Sequence, residues 1–178
     1  DTLTAKNTPL SSTPTATPET VYDKASANAG TPSTFNRDEI LSAGKNFFGS
    51  TSEEFARLIE RVFAQYGEPT AYIEGEEGSA AFVAGLRYGQ GHVQIKGGSR
   101  SPVFWQGPSV GFDFGGNAAK VFTLVYNLDT LAKLYQRYPG VEGSVYVLAG
   151  FGLNYQKSGD VVLAPIRTGV GLRAGASV

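Results

Sequence analysis

The spacing of apolar residues before residue 70 predicts two helices. Asn36 and Glu39 form a capping box for a helix over about residues 37–45. Thr51 and Glu54 form a second capping box, which predicts a helix over about residues 52–66. Large apolar residues recur in this second segment every three or four positions, so that one face of the helix must be covered. That apolar face consists of Phe55, Leu58, Ile59, Val62, Phe63 and Tyr66.

After Thr70 the apolar period changes to two, which predicts strands. Nine segments are rich in Val, Phe, Tyr and Ile and are bounded by Gly, Pro, Asn or Asp. Their short connections predict antiparallel pairing. One helix, TLAKLYQRY, is predicted to interrupt them after the capping residue Asp129. Because closure removes unpaired sheet edges, we expect a mainly β (α+β) fold: a small antiparallel β-barrel with two N-terminal helices and one inserted helix packed on it.

Glycine alternates with bulky residues in three of the predicted strands, SVGFDFGG, SVYVLAGFGLNY and TGVGLRAGASV. A glycine in a strand costs about 0.5–1 kcal/mol relative to alanine, so that the repetition needs a physical reason. Strong coiling of a small barrel is the favoured one. Close approach of a helix or a ligand to the backbone is the alternative. Asp113 and Arg173 lie on two of these glycine faces, and we expect them to form a structural ion pair if the barrel closes.

Composition separates a leader from the folded domain. Residues 1–34 are mostly Thr, Ser, Ala and Pro, which predicts a disordered leader. Residues 35–178 are predicted to form a single domain. We expect the domain to keep its fold when the leader is removed. The chain starts at Asp1 and contains no Met, so that a processed precursor without its signal peptide is expected. No apolar run reaches the roughly 20 residues of a membrane span.

Charge and residue types argue against several classes of activity. The net charge is −1 and no Lys/Arg-rich run occurs, so that no nucleic-acid partner is expected. Ser109 lies in a G-x-S-x-G pattern, but a strand pattern follows it and no histidine lies beyond it, unlike in a nucleophile elbow. We therefore expect no enzyme, no metal and no cofactor. His92 is predicted to lie on a solvated strand face, and Glu74, Glu76 and Glu77 at a solvated hairpin end.

Aromatic residues cluster in consecutive predicted strands and permit two interpretations. They either fill the barrel core or line an apolar pocket for an acyl chain. In the second case Lys120 or Arg100 lies near the pocket mouth and contacts an anionic head group. The candidate ligand-binding residues are Trp105, Phe112, Phe114, Lys120, Phe122 and Tyr126.

Several glycine motifs carry a resemblance to known families. The arrangement G-x-S-x-G-x-x-x-G-G, followed by AAKVFTLVYN, a short helix and SVYVLAGFGLNY, resembles the SYLF lipid-binding domain family. Residues 36–178 are more similar still to a bacterial family that includes envelope integrity protein A (EipA-like). The resemblance implies a periplasmic, non-enzymatic protein that supports cell-envelope integrity by binding a lipid or another envelope component. The alternative is a structural or protein-interaction module of the envelope that has no small ligand.

Overall fold

The computed structural model describes residues 33–49, 52–79, 86–108 and 119–168, and it begins with two helices. Helix α1 spans Arg37–Phe48, and its predicted Asn36–Glu39 capping box is confirmed. Helix α2 spans Glu53–Tyr66, but its N-cap is Ser52, whose hydroxyl accepts from the Phe55 amide, rather than Thr51. No helix within these ranges is long and apolar enough to cross a membrane.

Eight strands follow among the described residues and pair in one antiparallel sheet. They are β1 Ala71–Ser79, β2 Leu86–Ile95, β3 Arg100–Pro108, β4 Ala119–Tyr126, β5 Tyr146–Leu148, β6 Phe151–Leu153, β7 Gln156–Ser158 and β8 Val161–Thr168. Their order in the sheet is β3-β2-β1-β4-β8-β6-β5, with β7 also paired to β8. The sheet curls without closing among the described residues, which confirms the expected mainly β, barrel-like architecture.

Two strand predictions are corrected by the register. The segments AAFVAGLRY and HVQIKG are predicted as separate strands divided by glycines, but from Leu86 onward they form the single strand β2. The segment SVYVLAGFGLNY does not form one strand, because Ala149 and Gly150 take positive φ angles of 44° and 93°. That turn folds it into the hairpin of β5 and β6. The predicted strands SVGFDFGG and TGVGLRAGASV lie in or run into the ranges that are not described.

The inserted helix is shorter than predicted. It is a single 3₁₀ turn, Leu131–Leu134, and the side chain of its N-cap Thr130 makes no capping hydrogen bond. The Asp129 carboxylate accepts from Lys133 Nζ at 2.9 Å instead of capping a longer helix. This contact lowers the pKa of Asp129.

The two faces of the sheet build two separate apolar cores. On the outer face both helices pack against β4, β6 and β8. The opposite face, here called the inner face, is lined by small apolar side chains from five neighbouring strands and from the segment around the 3₁₀ turn. The fully buried members of the outer core include Ile40, Phe55, Leu58, Ile59, Phe122, Leu124, Leu153 and Ile166. The inner core contains Ala71, Ile73, Val93, Val103, Val125, Leu128, Leu134 and Val161.

An ion pair fastens the first helix to the sheet. Lys96, in the turn between β2 and β3, places Nζ 2.6 Å from Glu39 Oε2 in the first turn of α1. The Lys96 ammonium and the Asn36 backbone N–H together lower the pKa of the Glu39 carboxyl. Glu39, the third residue of α1 and a partner in its capping box, therefore also joins the helix to the outer face of the sheet.

The outer core predicts a strong dependence of stability on helix α2. Leu58 is fully buried between the helices and the sheet, whereas the adjacent Arg57 is exposed. Leu58→Ala should lower the free energy of unfolding by about 2–5 kcal/mol, because it removes buried methyl groups and leaves a cavity. Arg57→Ala should change it by less than about 0.5 kcal/mol. Urea denaturation measures both, and similar values for the two variants would contradict this packing.

Candidate functional site

The carboxylate of Glu77 is buried on the inner face of β1, the face that also bears Ala71 and Ile73. Only 4% of Glu77 is exposed. Its direct neighbours across the sheet are small: Gly89 on β2 and Ala119 on β4. The resulting space accommodates larger polar side chains from strands further away. A buried carboxylate is tolerated only with such partners.

Arg167 on β8 supplies the closest partner. Its Nε donates to Glu77 Oε2 at 2.8 Å, and its Nη2 donates to Oε1 at 3.3 Å. The third nitrogen, Nη1, donates to Asn154 Oδ1 at 2.6 Å. Arg167 is 5% exposed. This two-pronged contact matches the planar guanidinium to the planar carboxylate and fixes the distance between β1 and β8 on the inner face.

A second guanidinium lies beside the same carboxylate. Arg87 at the start of β2 is 6% exposed, and its Nε is 3.7 Å from Glu77 Oε2. Glu77 therefore interacts with arginines from two strands that flank β1 and β4 on opposite sides. Removing a partner from such a buried ionic group leaves a charge that water cannot reach, which is costly.

Trp105 of β3 completes the network and lies against a floor of glycines. Its Nε1 donates to Glu77 Oε1 at 2.9 Å. A Cβ added at Gly75 would lie 2.6 Å from Trp105 Cη2, and one at Gly89 would overlap the indole ring. A Cβ at Gly91 would overlap the backbone of β1. The glycines of β1 and β2 thus leave room for the Trp105 indole and for the close approach of the two strands.

The three predicted ligand-binding aromatics that lie in the described ranges are not on one face of the sheet. Trp105 is on the inner face, whereas Phe122 and Tyr126 belong to the outer core under the helices. Phe122 stacks on Tyr72 at a centroid distance of 5.3 Å. The Tyr126 hydroxyl donates to the Gly67 carbonyl at 3.1 Å, and burial raises the pKa of Tyr126. The alternation of β3 and β4 thus separates Trp105 from the other two, and these three residues do not line one pocket.

The two basic residues expected near a pocket mouth are both held elsewhere. Lys120 Nζ donates to the Phe47 carbonyl at the end of α1, at 3.1 Å. Arg100 Nη2 donates to Glu74 Oε2 at the same distance, on the outer face. The remaining predicted site residues lie outside the described ranges: Phe112, Phe114, Asp113 and Arg173. Ser109, which the sequence does not favour as a nucleophile, also lies outside them.

Sequence reasoning missed the buried network. Glu77 was expected at a solvated hairpin end, and this expectation is wrong because β1 continues to Ser79 and keeps Glu77 in the inner row. The sequence did contain one signal for the network, because residues an even number of positions apart in a strand lie on the same face. Glu77 stands at even spacing from Ala71 and Ile73, and Arg167 stands at even spacing from Val161. His92 is exposed on the outer face, as predicted. No group of three potential metal-ligating side chains occurs among the described residues.

The comparisons with known proteins agree with this architecture. A crystal structure of a beta-barrel-like, uncharacterized protein from Brucella abortus is 50% identical to this chain. The match covers 80% of this chain and 88% of that one, with a TM-score of 0.73. No curated protein matches the sequence. The model of a family described as envelope integrity protein A matches residues 33–178. The chain therefore belongs to the envelope integrity protein A family, and that membership supports a role in the integrity of the cell envelope.

Proposed function

We propose that this chain is a non-enzymatic periplasmic protein that supports the envelope by binding a lipid or another envelope component on the inner face of the sheet. The proposal rests on the position and the exposure of Trp105. Its indole is fixed by Glu77 and the glycine floor, yet the residue remains partly exposed. A rigid, partly exposed indole presents a large apolar surface that loses little conformational entropy on binding.

The surrounding charges support binding rather than catalysis. The Glu77 carboxylate accepts hydrogen bonds from Arg167 and Trp105 and also lies beside Arg87. A general base must reach its substrate within hydrogen-bond distance. Only 4% of Glu77 is exposed, and both of its carboxylate oxygens already accept hydrogen bonds from Arg167 or Trp105. The network is instead suited to hold the inner face in one shape.

An interaction module without a small ligand is the second candidate, and Phe104 favours it. Phe104 neighbours Trp105 in β3 but points to the opposite face, where it is 71% exposed. The partly exposed Tyr88 lies diagonally from it on β2. Exposed aromatic side chains of this kind are frequent in protein interfaces. The two candidates thus use neighbouring residues on opposite faces of one strand.

This geometry provides a matched pair of variants for testing the proposal. The protein, purified from its own envelope fraction, is examined by native mass spectrometry for a retained lipid or other small component. Vesicles of phosphatidylethanolamine and cardiolipin are then titrated against the fluorescence of Trp105, the only tryptophan. We expect a retained component and a shift of the Trp105 emission to shorter wavelengths. Trp105→Phe should weaken retention about tenfold or more, as expected for a contact worth at least about 1.4 kcal/mol.

Phe104→Ala is the control and should leave retention unchanged. The interaction module is supported instead if the purified protein retains no component and the Trp105 emission does not change on adding vesicles. In that case Phe104→Ala, but not Trp105→Phe, should reduce the resistance of the cell envelope. Circular dichroism and thermal unfolding establish that both variants fold.

The glycine floor generates a second test of the fixed indole. Gly89→Ala should lower the free energy of unfolding by about 1–3 kcal/mol, because the new methyl group overlaps the indole in a packed site. It should also shift the Trp105 emission to longer wavelengths as the ring is displaced. Gly78 lies in β1, and a Cβ added there would meet no atom within 4 Å, so that Gly78→Ala should preserve both stability and emission. An unchanged emission spectrum in Gly89→Ala would show that the ring is not held against the floor.

A further inference from the structure

A polar hollow lies at the other end of the sheet from Glu77. Its volume is about 600 Å³, within the usual range for ligand pockets. Two segments line it: residues 127–136, which include the 3₁₀ turn, and residues 158–161, which form the turn from β7 to β8. Glu77 is level with Ala119 at the start of β4, whereas Asn127 directly follows the end of β4. The eight residues of β4 separate the two sites by roughly 25 Å.

We propose that this hollow binds a carbohydrate chain of the envelope through hydroxyl and amide hydrogen bonds. Its wall combines two carboxylates, two carboxamides, a hydroxyl and an ammonium, and Val161 is a buried apolar side chain in the lining. Such a mixture provides both donors and acceptors for sugar hydroxyl groups. The polar side chains are Asn127, Asp129, Lys133, Gln136, Ser158 and Asp160.

Contacts within the wall hold these groups in place. The Asn127 amide donates to the Asp160 carbonyl at 2.8 Å, and Ser158 Oγ donates to Gln136 Oε1 at 2.8 Å. Gln136 Nε2 in turn donates to the Lys133 carbonyl. Asn127 also takes a left-handed backbone conformation, with φ at 62°, which non-glycine residues rarely adopt. The polar wall is therefore organised before any ligand arrives, which reduces the entropy that binding must overcome.

Hydrogen-bonding capacity remains on the same side chains. The internal contacts use the Asn127 amide nitrogen and leave its Oδ1 as an acceptor. Lys133 Nζ donates to one oxygen of Asp129, and an ammonium has three donors. Among the described residues, none donates a hydrogen bond to the Asp160 carboxylate, and Asp160 is exposed. The wall can thus donate to and accept from a ligand without losing its internal bonds.

The charge of the wall narrows the class of ligand. Two carboxylates and one ammonium give an excess negative charge, which disfavours phosphate and carboxylate head groups. A neutral, hydroxyl-rich chain carries no such penalty. The inference is independent of the function proposed above, since the hollow and Trp105 lie at opposite ends of the sheet and give separate signals.

The test uses the full chain labelled with ¹⁵N and two neutral probes, chitotetraose and maltotetraose. We expect at least one probe to shift the amide resonances of Asn127, Asp129 and residues 158–161, while the fluorescence of Trp105 stays constant. Asp160→Ala should weaken this binding about tenfold or more. Glu142→Ala removes an exposed carboxylate outside the hollow and should leave the affinity unchanged.

Three results would overturn the proposal. Neither sugar shifts these resonances, or the shifts fall elsewhere on the chain, or Asp160→Ala and Glu142→Ala affect binding equally. Trilysine is tested in parallel. If it shifts the same resonances and the sugars do not, the hollow is a site for cationic peptides instead.

Discussion

The arrangement of strands on the inner face depends on one buried carboxylate, which binds side chains from strands on both sides of it. Glu77 is on β1, and its hydrogen-bond and ion-pair partners come from β2, β3 and β8. Within the described ranges, the backbone of β1 pairs with β2 and β4 alone. The contacts to β3 and β8 therefore reach beyond the backbone ladder, and they constrain how strongly the sheet can curl. Any rearrangement of these strands would separate a buried charge from its partners.

This constraint divides the functions of the two faces. The outer face is closed by aromatic and aliphatic contacts with the helices, in which Phe55, Phe122 and Phe151 pack edge to face or tilted. The inner face combines small apolar side chains near the 3₁₀ turn with the charge network near the other end of the sheet. The helices cover the outer face, whereas Trp105 at the Glu77 end of the inner face stays partly exposed and is available for recognition. This separation is the physical basis for proposing a binding protein of the envelope.

Most of the fold could be predicted from patterns of residues that are close together in the sequence. The capping box at Asn36 and the apolar stripe of α2 specified the helices because both depend on residues close in sequence. The change to period two at Thr70 specified the sheet. The predictions failed where a glycine is compatible with either a strand or a turn. The glycines of β2 lie within one continuous strand, whereas Ala149 and Gly150 form a turn inside a segment predicted as one strand.

The candidate site was harder to predict, because it depends on register between strands distant in sequence. Glu77 and Arg167 are 90 positions apart, and only the pairing of β1, β4 and β8 brings them together. Trp105 was identified as a candidate from its aromatic character, but its partners were not. Its separation from Phe122 also follows from strand parity, once the ends of β3 and β4 are known.

The shared carboxylate is tested most directly by a double-mutant cycle between Glu77 and Arg167, measured by urea unfolding. Glu77→Gln and Arg167→Met should each lower the free energy of unfolding by about 3–5 kcal/mol. The double variant should lose less than the sum, with a coupling energy of about 1–3 kcal/mol. The more exposed pair Glu74 and Arg100 provides the control, with an expected coupling below about 1 kcal/mol. If the effects at Glu77 and Arg167 add to within about 0.5 kcal/mol, the network does not hold the inner face together.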